Sequence, residues 1–171
     1  MSVSEHEFRK AISSFPTGVT VIAATDGRMR AGMTANALFS LSLNPPSVVV
    51  SLQDEAETTR LIQSVHRAAI SFLSHQQRHV SETFAKRNSQ DFKFSTVPTH
   101  LGRNGQPIID GCVGAIEIDI ENVISAADHK LVVGNVTRIE GFSGGFPLIY
   151  FASGYATMAP DGTFRLPEFR H

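Results

Sequence analysis

The 171-residue chain carries 15 Lys plus Arg against 16 Asp plus Glu, and a net charge of -1 offers no broad field for nucleic acid or an anionic membrane. That length makes about one domain, expected over residues 1–171, able to bury roughly 68 to 70% of its unfolded surface without a disulfide framework. The single Cys112 has no intramolecular partner, the opening MSVSEHEFRK lacks an apolar signal region, and no apolar run nears a membrane span of about 18 residues, so a reducing cytoplasm is expected.

In chain order, residues 5–13 predict a helix with Phe8, Ala11 and Ile12 on one face. The β-branched runs 19–23, 38–43 and 48–52 read as strands. Asp26-Gly27 is a tight-turn signal, and the small polar run Gly32-Met33-Thr34-Ala35-Asn36 reads as a loop whose backbone can hydrogen-bond a heterocycle edge. Thr58 or Thr59 is placed to cap a helical turn through Arg60, Leu61, Ile62 and Val65. Residues 69–73 form a further expected strand, and 76–85 a helix with Val80 and Phe84 four apart. Asn88, Pro98, Gly102, Asn104, Gly105 and Pro107 mark 88–110 as a long loop. Strands are expected over 113–124, 130–139 and 148–151, then a turn at Pro160-Asp161-Gly162-Thr163. Most of the twelve Phe are expected in the core. A strand-dominated chain with short helices closes as a barrel or sandwich, because closure hides sheet edges.

Three motifs carry little. Gly141-Phe142-Ser143-Gly144-Gly145 fits G-x-S-x-G, but Phe146-Pro147 and the apolar strand after it forbid the helix a nucleophile elbow requires. His75 and His79 lack a third ligand at metal spacing, and Cys112 has no flanking cation to lower its pKa. No G-x-G-x-x-G follows a strand, so no dinucleotide fingerprint is present.

Ordered motifs do carry information. Phe8-Arg9 and Phe15-Pro16-Thr17-Gly18 lead into TGVTV, then come GMTAN, SLSLNPP and VVVSL. Phe84-Ala85-Lys86-Arg87 and Asp128-His129 follow, and Pro147 to Phe151 with Tyr155 completes the series. In order and spacing they resemble the flavin reductase domain family, in particular the small reductase components of two-component flavin monooxygenases. The resemblance implies a mainly β, FMN-binding split β-barrel with a few short helices, a core of about 8–155 and a C-terminal tail of 156–171. It also implies a homodimer with flavin near the subunit interface. The activity implied is an NAD(P)H:flavin oxidoreductase that reduces FMN or FAD by hydride transfer and supplies a separate monooxygenase. A flavin-binding redox or sensor module that retains FMN is the other reading.

By the same resemblance Thr34, Ala35, Asn36 and Ala37 run along the flavin ring and ribityl chain, and Ser51, Leu52 and Gln53 present backbone groups to them. Thr58 and Thr59, opening a helix, would receive the phosphate through free N–H groups. Asp54, Glu55 and Glu57 crowd that turn and oppose an anion unless they face solvent. Phe84, Ala85, Lys86 and Arg87 form the adjoining motif, whose two cations either compensate that charge or complement a helix C-terminus in solvent. His129 is the expected catalytic group and nicotinamide contact, since imidazole can donate a hydrogen bond or stabilise developing negative charge. Tyr155 is either an aromatic wall for the nicotinamide or a core residue. No Arg cluster marks a 2′-phosphate, which favours NADH over NADPH as donor.

Overall fold

The computed structural model describes residues 3–142, 145–158 and 164–165. Helix α1, Glu5–Ser13, opens with a reciprocal cap in which Ser4 Oγ accepts the Glu7 N–H at 3.2 Å and the Glu7 carboxylate accepts the Ser4 N–H at 2.9 Å. Its apolar stripe is uncovered within the single chain, with Phe8 60% and Ile12 55% exposed.

Strands β1 (Thr17–Gly18), β2 (Thr20–Thr25) and β3 (Arg30–Ala35) follow. The β2–β3 turn forms as expected: Asp26 Oδ1 accepts the N–H groups of Arg28 and Met29, and Gly27 takes φ +89°, which suits a residue without Cβ. Residues 32–35, expected in a loop, instead continue β3 in register with β2. Cross-strand pairing to a fully buried partner overrides their weak strand propensity, and only Asn36 and Ala37 connect β3 to β4 (Leu38–Leu43).

Strand β5 (Pro46–Gln53), helix α2 (Glu57–Val65) and strand β6 (Arg67–Phe72) come next. The cap position of α2 is Ala56, and neither Thr58 nor Thr59 serves, because both lie inside the first turn. The third expected helix divides into a 3-10 turn, His75–Gln77, and α3, Arg78–Ala85. The stretch 88–110 is no simple loop: it holds α4 (Gln90–Thr96), capped by Ser89 Oγ, and a hairpin of β7 (Thr99–Leu101) and β8 (Pro107–Ile109). The chain then forms a long hairpin of β9 (Gly114–Ala126) and β10 (His129–Glu140), followed by β11 (Ile149–Phe151), β12 (Gly154–Met158) and β13 (Phe164–Arg165). The turn expected at 160–163 and the Ser143-Gly144 pair lie outside the described residues.

Seven strands form one antiparallel sheet in the order β3-β2-β6-β9-β10-β5-β4. Its two edge strands, β3 and β4, are joined by two residues, so the sheet must curl until its edges approach. The Ser51 N–H bonds the Ala37 carbonyl at 2.9 Å, which carries the β4–β5 pairing into this connection. The result is the split barrel.

Alternation along β2 divides the apolar residues between two cores. Ile22 and Ala24 point inward with Val50, Leu52, Ile70, Ile118 and Val132, where Leu61 and Ile62 of α2 plug the barrel. Val21 and Ala23 point outward beneath Val80 and Phe84 of α3 and Phe94 of α4. Each such Val, Leu or Ile side chain contributes about 1.5–3 kcal/mol on burial. The Phe expectation fails: Phe8, Phe15, Phe39, Phe92 and Phe142 are all exposed, because they sit on faces that the single chain leaves uncovered.

Gly32 lies under two rings, and a Cβ there would stand 2.7 Å from Phe84 Cε1 and 3.2 Å from Phe94 Cζ. Both rings are buried and cannot step aside. Gly32→Val should therefore destabilise the fold by about 1–3 kcal/mol, read as a lower urea midpoint at unchanged m.

His100 of β7 bridges two carboxylates, Nδ1 to Asp110 and Nε2 to Glu140, both at 2.6 Å, and ties the small hairpin to the end of β10. The Asp110 hydrogen bond, with help from Glu140, raises the imidazole pKa above its ordinary 6.5. Folded protein thus holds this proton more tightly than unfolded chain, so the stabilisation is complete below 6.5 and disappears as pH rises through the folded value. The loss of Tm caused by His100→Gln should be largest near pH 5.5 and shrink by pH 9, measured by thermal melts.

Candidate active site

A cleft runs along the outer edge of β3, between it, the ends of β5 and β10, and helices α2, α3 and α4. It has two lobes of about 450 and 620 Å³ that share Met33, Thr34, Gln53 and Ala85. Each is within the range of small-molecule sites, about 300–1,000 Å³.

Edge strand β3 has no strand neighbour on its cleft side, so its outward backbone groups need other partners. At Gly32 they find them: the N–H donates to Gln90 Oε1 at 3.0 Å, and the carbonyl accepts from Lys93 Nζ at 3.3 Å. By the antiparallel alternation the N–H and C=O of Thr34 face the same way, and no described residue takes them. The Thr34 hydroxyl is fixed by donating to the Ser81 carbonyl at 2.7 Å. Past Thr34, the exposed Asn36 has no amide partner among the described residues.

The smaller lobe is a mostly uncharged slot, lined by Val19, Met33, Ala35, Ala37, Tyr150 and Tyr155 with Asn36, Ser51 and His129. Tyr155 shares a hydrogen bond with Ser81 (2.9 Å between oxygens) and packs edge-on against Tyr150, with centroids 5.6 Å apart. Its ring is thereby held as a wall. His129 Nδ1 lies 2.8 Å from Asp128 Oδ1 at the start of β10. That bond holds the Asp128 carboxyl below the usual range, so Asp128 is the ionised acceptor and Nδ1 the donor. Nε2 is left without a partner among the described residues.

The larger lobe carries the charge. Ala56, Glu57 and Thr58 line it, and since α2 has no side-chain cap, its first N–H groups open there. Lys86 and Arg87, both exposed just beyond α3, stand on the other side with Lys93 of α4. Asp54 is neutralised locally by Lys130, whose Nζ lies 3.3 Å from its carboxylate. The crowd of carboxylates read from sequence therefore divides, with Asp54 paired and Glu55 exposed.

Of the residues singled out from sequence, Thr34, Ala35, Asn36, Ala37, Ser51, Gln53, Thr58, Phe84, Ala85, Lys86, Arg87, His129 and Tyr155 all line the cleft. Two do not. Leu52 buries its side chain in the barrel, and because the Ser51 N–H bonds Ala37, alternation turns the Leu52 backbone toward β10. Thr59 is fully buried and donates its hydroxyl to the Gln53 carbonyl at 2.7 Å. Sequence reasoning missed Gln90 and Lys93, which sit in the stretch read as a loop. Ser89 before an acidic first turn was the available signal for that helix. Cys112 lies away from the cleft, and burial pushes its thiol pKa up.

This slot and charged lobe suit a flat heterocycle with an anionic tail, and comparison with known proteins agrees. The flavin reductase like domain family matches residues 12–159. A probable flavin reductase of Rhizobium meliloti is 39% identical over 87% of this chain, which spans only 47% of that relative's length. The reductase component of 4-hydroxyphenylacetate 3-monooxygenase from Thermus thermophilus is 33% identical, covering 86% of this chain and 93% of its own. Among solved structures, an NADH:FAD oxidoreductase of Streptomyces globisporus in complex with NAD and FAD fragments superposes with a TM-score of 0.87. It is 28% identical, over 94% of this chain and 96% of that one. With a family match across most of its length and the curled sheet that the family's order of motifs implied, this chain belongs to the flavin reductase like domain family.

Proposed function

We propose that this protein is an NAD(P)H:flavin oxidoreductase that reduces FMN or FAD and supplies a separate flavin-dependent monooxygenase. The observation that carries the reading is the neutral slot between the free backbone edge at Thr34 and the His129–Tyr155 wall, continuous with a charged lobe that holds Lys86, Arg87 and Lys93. The relatives named above support it, one being the reductase component of a monooxygenase. One domain, with its core over about 8–155, carries the activity in a reducing cytoplasm. Among the described residues no helix is long and apolar enough to cross a membrane.

When bound, flavin supplies the redox chemistry by accepting a hydride from a nicotinamide stacked on it. The chain's own task is positioning and charge. Thr34 offers backbone hydrogen bonds to the ring edge and Ala35 lines it, Asn36 offers its side-chain amide, and Ser51 and Gln53 the end of β5. Ala37 and Ala85 keep the slot shallow, and Phe84 lines the adjoining lobe. Thr58, with the open end of α2, and the cations Lys86 and Arg87 face the phosphate. His129, oriented by Asp128, presents Nε2 where negative charge develops, and Tyr155 walls the nicotinamide side. No proton-transfer triad is needed, which fits the absence of an activated nucleophile among the described lining residues.

Anaerobic mixing of the purified protein with NADH and excess FMN or FAD should bleach the free flavin catalytically; reduction of one equivalent only would contradict release to a partner. In the same assay His129→Ala should slow hydride transfer on the order of a hundredfold while changing flavin Kd little. Asn36→Ala should do the reverse, raising Kd by about five- to tenfold through a lost hydrogen bond. Unaltered rates and affinities in both variants would refute the site.

The working form is a homodimer. Exposed Phe8, Ile12 and Phe15 at α1 and exposed Phe39, Leu41 and Leu43 on edge strand β4 are apolar surface that a monomer keeps in water. Phe39→Glu should yield a monomer in sedimentation velocity; a wild-type monomer at micromolar concentration would contradict the assignment.

A further inference from the structure

The charged lobe contains a cation that exposed charges cannot match. Lys93 is only 4% exposed, yet it lines the lobe beside Phe84. Its ammonium has three N–H donors. Two reach carbonyls, those of Gly32 and Phe84, each at 3.3 Å, and no third acceptor is within reach among the described residues. Burial lowers its pKa, and the carboxylate of Glu57, on the first turn of α2 and lining the same lobe, acts in the opposite direction. A buried ammonium with one donor unmet strongly favours a neighbouring anion, since low dielectric magnifies the attraction. Lys86 and Arg87 are solvated and screened by salt.

We infer that Lys93 is the principal ligand of the flavin phosphate and that Glu57 is its counter-charge in the free protein, so that phosphate binds by displacing Glu57 from this role. This rests on the flavin-reductase reading and deepens it. Two anions compete for one buried cation, and the competition keeps phosphate affinity low. Weak hold on the phosphate suits a flavin that is handed on rather than retained. Glu57 thereby sets affinity for the phosphorylated flavin specifically, and the ring slot is indifferent to it.

Riboflavin, which has the ring and ribityl chain but no phosphate, separates the two parts of the site. Dissociation constants for FMN and riboflavin are measured by quenching of flavin fluorescence on the wild-type protein, Glu57→Gln and Lys93→Met. Glu57→Gln should tighten FMN by about three- to tenfold and leave riboflavin within about twofold, the size of one charge–charge term in a partly wet site. Lys93→Met should weaken FMN by at least about tenfold, again with riboflavin little changed. Glu57 is exposed, so its variant decides the matter even where Lys93→Met does not fold. An FMN-to-riboflavin ratio unchanged in Glu57→Gln, or equal weakening of both flavins in Lys93→Met, would overturn the assignment while leaving flavin binding intact. A wild-type protein that binds neither flavin overturns the flavin reading and this inference together.

Discussion

The open backbone edge of β3 is the constraint around which the site is organised. An edge strand that meets no neighbour must have its N–H and C=O groups satisfied some other way or leave them for a ligand. Here α4 supplies Gln90 and Lys93 at Gly32, and α3 takes the Thr34 hydroxyl through the Ser81 carbonyl. The backbone of Thr34 is left open one residue pair further along. A cleft with hydrogen-bonding capacity follows directly from covering this edge only part of the way. Gly32 is the residue that permits the cover, because any Cβ would strike Phe84.

Charge in the cleft is graded from one end to the other. The slot near Tyr150 and Tyr155 is mostly uncharged, and its wall residue His129 is oriented by an ionised Asp128. At the other end, carboxylates that looked adverse in the sequence prove to have separate fates. Asp54 is bound to Lys130, while Glu57 lines the same lobe as the buried Lys93. This gradient suits a ligand with a flat neutral ring and an anionic tail, and it leaves the ring end free of charges that would bias a hydride's approach.

Barrel closure also decides what is left outside. Once β3 and β4 meet across Asn36 and Ala37, β4 turns Phe39, Leu41 and Leu43 outward, and α1 carries its Phe8 and Ile12 stripe on the surface. The apolar periodicity of α1 is correct as a signal of amphipathicity. It does not say whether the apolar face meets this chain's core or another surface.

Much of this was legible in residue order. The β-branched runs specified their strands because buried pleated positions favour such residues, the Asp26-Gly27 turn formed where turn chemistry placed it, and helix α1 formed where its apolar face placed it. The ordered motifs identified the family and most of the cleft wall. Other features were not legible. Gly32 to Ala35 became strand only because β2 pairs with it, and α4 is a seven-residue helix that exposes Phe92 while burying Lys93 and Phe94. Its pattern has no periodicity to read, and so short a helix is marginal without tertiary contacts. Local chemistry thus determined which segments become strands and which turn, whereas the side of each strand that stays unpaired, and the buried lysine set against it, were decided by how the sheet closes. Closure depends on interactions between residues far apart in the chain, and no local pattern encodes them.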